Sequence, residues 1–234
     1  MSVIINADDF GMSDSVNEAI IKCFIDKYIN RTTIMVNMPA FESACELSRK
    51  HDVFDKIGLH LNLTEGIAIT EGAKKIDLLF SGKSNFNKFC KLNGGRFSLN
   101  NNIKEIIRAE ISAQMDKYIN IGFPLMHIDS HHHVHMGYPI LSIVISEASK
   151  RGFKSMRICH NLHLNSLKSK IKISYFNNKI AEKFTTTRYF GRLDDYLFEY
   201  KRDIELMVHP DIYQGKIVDI LAHNVYRDFN THIL

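Results

Sequence analysis

The chain has 234 residues, of which 45% are hydrophobic and 24% are charged, as is typical of a soluble globular protein with one domain and a sizeable core. The formal net charge of +4 is small for this length, and there is no arginine-rich block or basic stripe, so a nucleic-acid partner is not expected. No apolar run reaches the length of a membrane span, which argues against a membrane partner.

Cysteine and histidine usage narrows the class further. The four cysteines lie far apart and form no C-x-x-C pair, which argues against a disulfide framework and a zinc knuckle. Scattered thiols fit a reducing compartment, and the apolar run at the N-terminus is too short for a secretory signal, so we expect a cytoplasmic protein. The 12 histidines are the unusual feature, because histidine is the commonest metal ligand.

Short apolar runs alternate with amphipathic stretches along the first part of the chain. A buried strand is predicted over 3–7, and Ser13 or Asp14 can cap the helix that follows. The next predicted elements are a strand over 33–36, a helix over 41–50 and a strand over 57–63. The pattern is lost over 70–99, and a stretch of that length is usually functional or mobile.

The same alternation continues in the second half. The predicted elements are a helix from 102 to its stop at Gly122, a strand over 125–129, a helix over 139–150, a strand over 153–158 and a last strand over 204–208. The pattern is weak over 160–203. Strand–helix alternation predicts an α/β fold with a mainly parallel sheet, either open and doubly wound or closed into a barrel.

Acidic and imidazole side chains stand at the carboxyl ends of four predicted strands. They are Asp8 and Asp9 after the first strand, His60 in the third, the run 129–135 after the fourth, and His209 after the last. In α/β barrels the active site is built at this end of the strands. The placement therefore favours the barrel over the open sheet.

The pair Asp8–Asp9 allows two roles in one site. Adjacent carboxylates after a strand point in different directions, so one can bind a metal while the other acts as a base. The alternative is a helix N-cap beside a turn carboxylate, because aspartate is favoured at both positions. His60 lies in an apolar strand, where it is either a metal ligand or a hydrogen-bonded core histidine.

The histidine run 131–135 follows an apolar strand directly. Extended backbone would turn His131, His133 and His135 to one face and His132 to the other. Two or three imidazoles near a carboxylate can hold Zn²⁺, Mn²⁺ or a similar ion; the alternative is an exposed polar loop. The histidines not used as ligands either line a substrate groove or cap the strand end.

Asp129, which precedes this run, is either a carboxylate that orients a ligand imidazole or a plain loop residue.

Five strings of sequence carry a family resemblance. They are NADDFGMS over 6–13, GLHLNL over 58–63, HIDSHHHVH over 127–135, MR over 156–157 and MVHP over 207–210. Together, and in this order, they resemble the motifs of the YdjC-like carbohydrate deacetylases, which include the chito-oligosaccharide deacetylases. The resemblance implies a distorted or incomplete TIM-like (β/α) barrel, a single domain over 1–234, and a homodimer.

The resemblance also implies a reaction and its residues. The substrate would be an acetylated amino-sugar oligosaccharide, from which hydrolysis of the N-acetyl group releases acetate. By resemblance, the metal ligands are Asp9, His60 and His131, the general base is Asp8, the general acid is His209, and Arg157 orients the base. The family's usual ion is Mg²⁺, but two imidazoles and one carboxylate suit Zn²⁺ or Mn²⁺ better.

The chain departs from the family pattern in two places. The continuation after Arg157 lacks the expected proline, and 160–203 is only loosely similar, which leaves the substrate more open than the chemistry. The family's last strand is not recognised, so either the barrel closes differently or a partner subunit covers the gap.

Two other functions stay open at this stage. One is another metal-dependent hydrolase, such as a phosphoesterase or a different amide deacylase. The other is a non-catalytic sugar-binding protein, against which the pair Asp8–Asp9 argues because a binding site needs no base beside its ligand.

Overall fold

The structure is a computed structural model that describes residues 3–76, 78–92, 99–137, 139–162, 164, 166–193 and 203–220. Seven strands form one parallel sheet: β1 (Val3–Phe10), β2 (Arg31–Ile34), β3 (Ile57–Leu61), β4 (His127–Ser130), β5 (Ser155–Met156), β6 (Tyr189–Arg192) and β7 (Ile204–Val208). The sheet order is β5-β4-β3-β2-β1-β7-β6. The sheet curls into a half-barrel with helices, so the predicted incomplete TIM-like α/β barrel is confirmed.

The helices follow the sequence signals at several ends. Their bounds are α1 (Asp14–Ile25), α2 (Phe41–Lys50), α3 (Glu71–Lys74), α4 (Lys83–Leu92), α5 (Asn101–Ile121), α6 (Ile140–Lys150) and α7 (Leu167–Ala181). Ser13 caps α1 by accepting a hydrogen bond from the Val16 backbone N–H, as predicted. Gly122 ends α5 with a φ of 90°, the left-handed conformation that favours glycine.

The half-barrel is open between its two edge strands. β7 lies between β1 and β6, so the edges of the sheet are β5 and β6. Near this opening, Ser155 of β5 and Thr185 form an isolated parallel bridge. After β7 comes an antiparallel hairpin of β8 (Pro210–Tyr213) and β9 (Lys216–Asp219), and β8 lies against α1.

Polar residues fill the inside of the barrel. Side chains alternate between the two faces of a strand. In β1, β3, β4 and β7, the residues that face the inside of the barrel include the polar ones. These inner residues are Asn6 and Asp8 on β1, His60 on β3, His127 and Asp129 on β4, and Glu205 on β7. The apolar core lies between the sheet and the helices, where Tyr118 of α5 donates a hydrogen bond to the Ile57 carbonyl at 2.8 Å.

Several predicted boundaries need correction. β1 continues to Phe10, so the aspartate pair lies inside the strand, and β2 begins two residues earlier than predicted. β5 has only two residues instead of six. The patternless stretch 70–99 contains α3 and α4, and the weak stretch 160–203 contains α7 and β6. Among the described residues, no helix is both long and apolar enough to cross a bilayer.

Candidate active site

Asp8 and Asp9, near the end of β1, lie in one site. Asp9 has a φ of 71°, which turns the chain so that its side chain and that of Asp8 both point into the barrel mouth. The turn is held by Asn17, whose Oδ1 accepts the Gly11 N–H at 2.7 Å. Gly11 has a φ of 92°, and a side chain there would meet the Met35 carbonyl at 3.1 Å, so glycine is required. Both carboxylates therefore lie in one site, where they meet different partners.

Asp9, His60 and His131 are brought together as predicted. Oδ1 of Asp9 lies 2.7 Å from Nδ1 of His131 and 3.1 Å from Nε2 of His60. All three residues are buried, and one ligand atom from each lies within 4.8 Å of the others. Residues on β1, on β3 and directly after β4 therefore converge on one small group of donors.

Asp129 has the position of an orienting carboxylate. Its Oδ1 lies 2.6 Å from Nδ1 of His60, and its Oδ2 accepts a hydrogen bond from the Thr33 hydroxyl at 3.0 Å. Burial disfavours the charged imidazole, but the Asp129 carboxylate outweighs it and raises the pKa of His60 to about 10. Because Nδ1 donates to Asp129, Nε2 is the nitrogen that faces Asp9, as in histidines that bind metals.

The donor group fits a divalent cation. Nε2 of His131 is buried and has no hydrogen-bond partner among the described residues, and its nearest carboxylate oxygen is Oε1 of Glu65 at 3.5 Å. The barrel interior buries four carboxylates, those of Asp8, Asp9, Asp129 and Glu205, against the guanidinium groups of Arg31 and Arg157. With its raised pKa, a protonated His60 offsets one of the two remaining negative charges. A divalent ion that displaces the His60 proton would balance both.

Asp8 is held by a guanidinium group. Nη1 and Nη2 of Arg157 donate to its two carboxylate oxygens at 2.7 Å each, and the Asn6 amide donates to Oδ1 at 2.8 Å. Burial raises the pKa of Asp8, but the charge and hydrogen bonds of Arg157 outweigh it and hold this pKa well below its ordinary value. The predicted pairing of Arg157 with Asp8 is therefore present.

His209 follows β7 at the level of Asp8. Its Nε2 lies 3.8 Å from Oδ2 of Asp8, which is too far for a hydrogen bond, and its side chain is 13% exposed at the mouth. β7 pairs with β1 so that Val208 is opposite Ala7, and this register places the two residues together.

The prediction of extended backbone for the histidine run is wrong. Residues His131–Met136 form a turn that is kinked at His132 and His133, whose φ values of 51° and 54° are left-handed. β4 ends at Ser130 because its hydroxyl accepts the His135 backbone N–H at 3.1 Å and closes the turn. His131, His133 and His135 therefore do not share one face.

Each remaining histidine has its own surroundings. His132 is half-buried at the mouth, where its Nδ1 lies 2.9 Å from the Thr64 hydroxyl. His133 packs edge-on against the Phe190 ring. His135 is fully buried, and its Nε2 lies 3.1 Å from the Arg157 carbonyl. Burial lowers the pKa of His132 and of His135 to about 4 and that of His133 to about 3, so they are neutral near pH 7.

The family model described as YdjC-like protein matches residues 2–230. The chain belongs to the YdjC-like protein family. Among the relatives of this YdjC-like chain, a carbohydrate deacetylase of Vibrio parahaemolyticus is 29% identical over 240 residues, covering 100% of this chain and 88% of the relative. A carbohydrate deacetylase of Clostridium beijerinckii is 29% identical over 228 residues, covering 93% of this chain and 84% of the relative.

A solved structure shares the fold of the YdjC-like chain. It is a protein of Enterococcus faecalis V583 described as a candidate cellobiose-phosphate cleavage protein. It superposes with a TM-score of 0.66 at 22% identity and covers 91% of this chain and 82% of its own. At this identity the likeness supports the barrel architecture alone.

Sequence reasoning missed three charged residues of the site. Glu205 and Arg31 are buried beneath Arg157, and Glu65 is half-exposed beside His131. The sequence did contain one sign of a buried ion pair: Glu205 is the one charged residue in the otherwise apolar run 204–208. A buried charge in a strand requires a partner, and no pattern in the sequence identifies which arginine supplies it.

Proposed function

We propose that this YdjC-like protein is a metal-dependent deacetylase that hydrolyses N-acetyl groups of amino-sugar oligosaccharides and releases acetate. The observation that carries the proposal is that two adjacent carboxylates have different partners. Asp9 contacts two imidazoles, and Asp8 accepts hydrogen bonds from a guanidinium group. The family and the names of its relatives, carbohydrate deacetylases, support the same reaction class.

Asp9, His60 and His131 would hold the ion. When bound, a divalent ion supplies a Lewis acid for the acetamide carbonyl and lowers the pKa of a water molecule. Two imidazoles and one carboxylate favour Zn²⁺ or Mn²⁺ over the family's usual Mg²⁺, which prefers oxygen ligands. Elemental analysis of protein purified without added metal tests this choice, and stoichiometric Mg²⁺ alone would contradict it.

The proton transfers belong to Asp8 and His209. Asp8 accepts a proton from the water that adds to the acetyl carbonyl carbon, and its lowered pKa keeps it ionised throughout the neutral range. His209 then donates a proton to the amide nitrogen as the carbon–nitrogen bond breaks. The products are acetate and the free amino sugar. Arg157 keeps the Asp8 carboxylate in a fixed orientation.

The mouth of the barrel offers polar groups to a sugar. The side chain of Glu65 is 39% exposed and that of His132 is 28% exposed, and both lie beside His131. Carboxylate and imidazole groups at this position suit the hydroxyl groups of an oligosaccharide. We propose that a glycan lies across this side of the mouth with its acetamide toward Asp9.

The test is the release of acetate from N,N′-diacetylchitobiose, measured alongside phosphate release from a phosphomonoester. The proposal predicts acetate with an equal amount of free amine, and no phosphate. Phosphate without acetate would replace it with a phosphoesterase. Binding of the sugar without either product, from folded and metal-loaded protein, would replace it with a sugar-binding protein.

A further inference from the structure

Five buried side chains close a ring beneath the candidate metal site. Asp8 accepts from both Nη atoms of Arg157 at 2.7 Å, and Nε of Arg157 donates to Oε1 of Glu205 at 2.5 Å. Oε2 of Glu205 pairs with Nη2 of Arg31 at 2.5 Å. Nε of Arg31 donates to Oδ1 of Asn6 at 2.8 Å, and the Asn6 amide returns to Asp8 at 2.8 Å.

The ring fixes the guanidinium group of Arg157 from every side. Its Nη atoms face Asp8, and Nη2 also lies 2.7 Å from Oδ2 of Asp129, the carboxylate that orients His60. Its Nε faces Glu205, and its flat face lies over the Phe190 ring at 4.8 Å. A planar group with donors in fixed directions is held in one orientation by such partners.

Glu205 and Arg31 lie too deep to reach a substrate at the mouth. Both are buried at the floor of the barrel, and Glu205 is 1% exposed. Burial raises the pKa of Glu205, but the charges of Arg31 and Arg157 outweigh burial and lower this pKa to about 2. The carboxylate is therefore ionised at neutral pH. An action of this pair on the reaction would therefore pass through Arg157, and for Arg31 also through Asn6, which donates to Asp8.

We propose that Glu205 and Arg31 are positioning residues for catalysis. Glu205 holds Arg157 by its Nε so that the guanidinium group stays aligned with Asp8 and Asp129, and Arg31 holds Glu205 and Asn6. The proposal rests on the proposed function for its activity readout. It adds two residues to the reaction that touch neither the metal ligands nor the substrate.

The outer layer of the fold provides a matched control. Glu147 of α6 is also a buried glutamate paired with two arginines: its carboxylate accepts from Arg108 and from Arg151 at 2.8 Å each. It lies between α5 and α6, far from the barrel interior. Glu205→Gln and Glu147→Gln therefore each remove a buried glutamate paired with two arginines; Glu147 is also paired with Lys150.

The experiment compares kcat and KM for acetate release from N,N′-diacetylchitobiose in these two variants and in Arg31→Gln, after circular dichroism has shown each to be folded. We expect Glu205→Gln to lower kcat by about 10- to 100-fold, the usual effect of removing a partner that orients an active-site group, with KM changed less than about twofold. Glu147→Gln should leave kcat within about twofold of the wild type.

The double variant Arg31→Gln/Glu205→Gln tests whether the pair acts as one unit. Because one ring serves both residues, the loss of kcat in the double variant should be smaller than the product of the two single losses. Independent, multiplicative losses would overturn the role assigned to Arg31. A folded Glu205→Gln variant with the kcat of Glu147→Gln would overturn the role assigned to Glu205.

A second readout separates this proposal from the proposed function. If the wild type releases no acetate, the proposed function fails, and the visible absorption of Co²⁺-loaded protein decides the positioning role. Arg157 holds Asp129 and Asp129 holds His60, so Glu205→Gln should shift the Co²⁺ bands while Glu147→Gln should not. Identical spectra for the wild type and Glu205→Gln would then overturn the proposal.

Discussion

Asp8 and Asp9 are neighbours in sequence, but their carboxylates contact different kinds of side chain. Both carboxylates are buried and both have a pKa held below its ordinary value, but by different partners. Arg157 pairs with Asp8 through a permanent charge, whereas the partners of Asp9 among the described residues are the imidazoles of His60 and His131. The left-handed backbone at Asp9 brings both side chains to the barrel mouth, where they meet different partners.

The difference explains how one strand end can supply two functions. A carboxylate fully engaged by arginine has no free charge to offer a cation, so Asp8 is the poorer metal ligand. Asp9 and the two imidazole side chains beside it can together bind a cation. A carboxylate bound to a cation is the poorer base.

The largest expected effect is on Asp8. Asp8→Asn keeps the size of the side chain but cannot accept the proton, so kcat for acetate release should fall by about 10²- to 10⁴-fold. Bound metal, measured by elemental analysis, should stay at the wild-type amount. Asp14→Asn, at the exposed start of α1, is the control that should change neither quantity. Loss of the metal from Asp8→Asn would mean that the two aspartates share one role.

A smaller effect is expected from the orienting carboxylate on the other side. Asp129→Asn weakens the acceptor that fixes Nδ1 of His60, so the Kd for Zn²⁺ should rise by about 10- to 100-fold. Competition with a chromophoric chelator measures this Kd. Asp116→Asn removes an exposed carboxylate partner of Arg151 on the outer surface and should leave the Kd unchanged. An unaltered Kd in Asp129→Asn would show that His60 needs no orienting partner.

The smallest effect concerns acid stability. The pKa of Glu205 is about 2 in the folded protein against an ordinary value of 4.5, so its stabilising contribution is complete above pH 4.5 and is lost as the pH falls toward 2. Between pH 5.5 and pH 3 the wild type should lose about 2 kcal/mol more free energy of unfolding than Glu205→Gln does. Urea unfolding at the two pH values measures the difference. Equal losses would mean that Glu205 is not stabilised by its arginines.

The sequence was most informative where local chemistry decides the structure. Ser13 and Gly122 mark helix ends by their own side chain or its absence, and α2 and β7 have the predicted bounds. The positions of Asp9, His60 and His131 followed from the rule that strand ends meet at one side of a barrel, together with the family motifs.

The sequence was least informative where distant partners decide the structure. The turn over 131–136 depends on the Ser130 hydroxyl and on left-handed backbone at two histidines, which residue preferences do not favour. The pairing of Arg31 with Glu205 joins residues from β2 and β7, on either side of β1. Contacts of this kind are set by the register of the whole sheet, so no local pattern reveals them.

The two adjacent carboxylates are assigned separate roles: Asp9 is a metal ligand, and Asp8 is the general base. The most direct test strips the wild type, Asp8→Asn and Asp9→Asn of metal, returns Zn²⁺ or Mn²⁺ in steps, and follows bound ion and acetate release together. We expect the wild type to regain both, Asp8→Asn to regain the ion without acetate release, and Asp9→Asn to regain neither. Full acetate release by the stripped wild type, or undiminished ion binding by Asp9→Asn, would contradict this assignment.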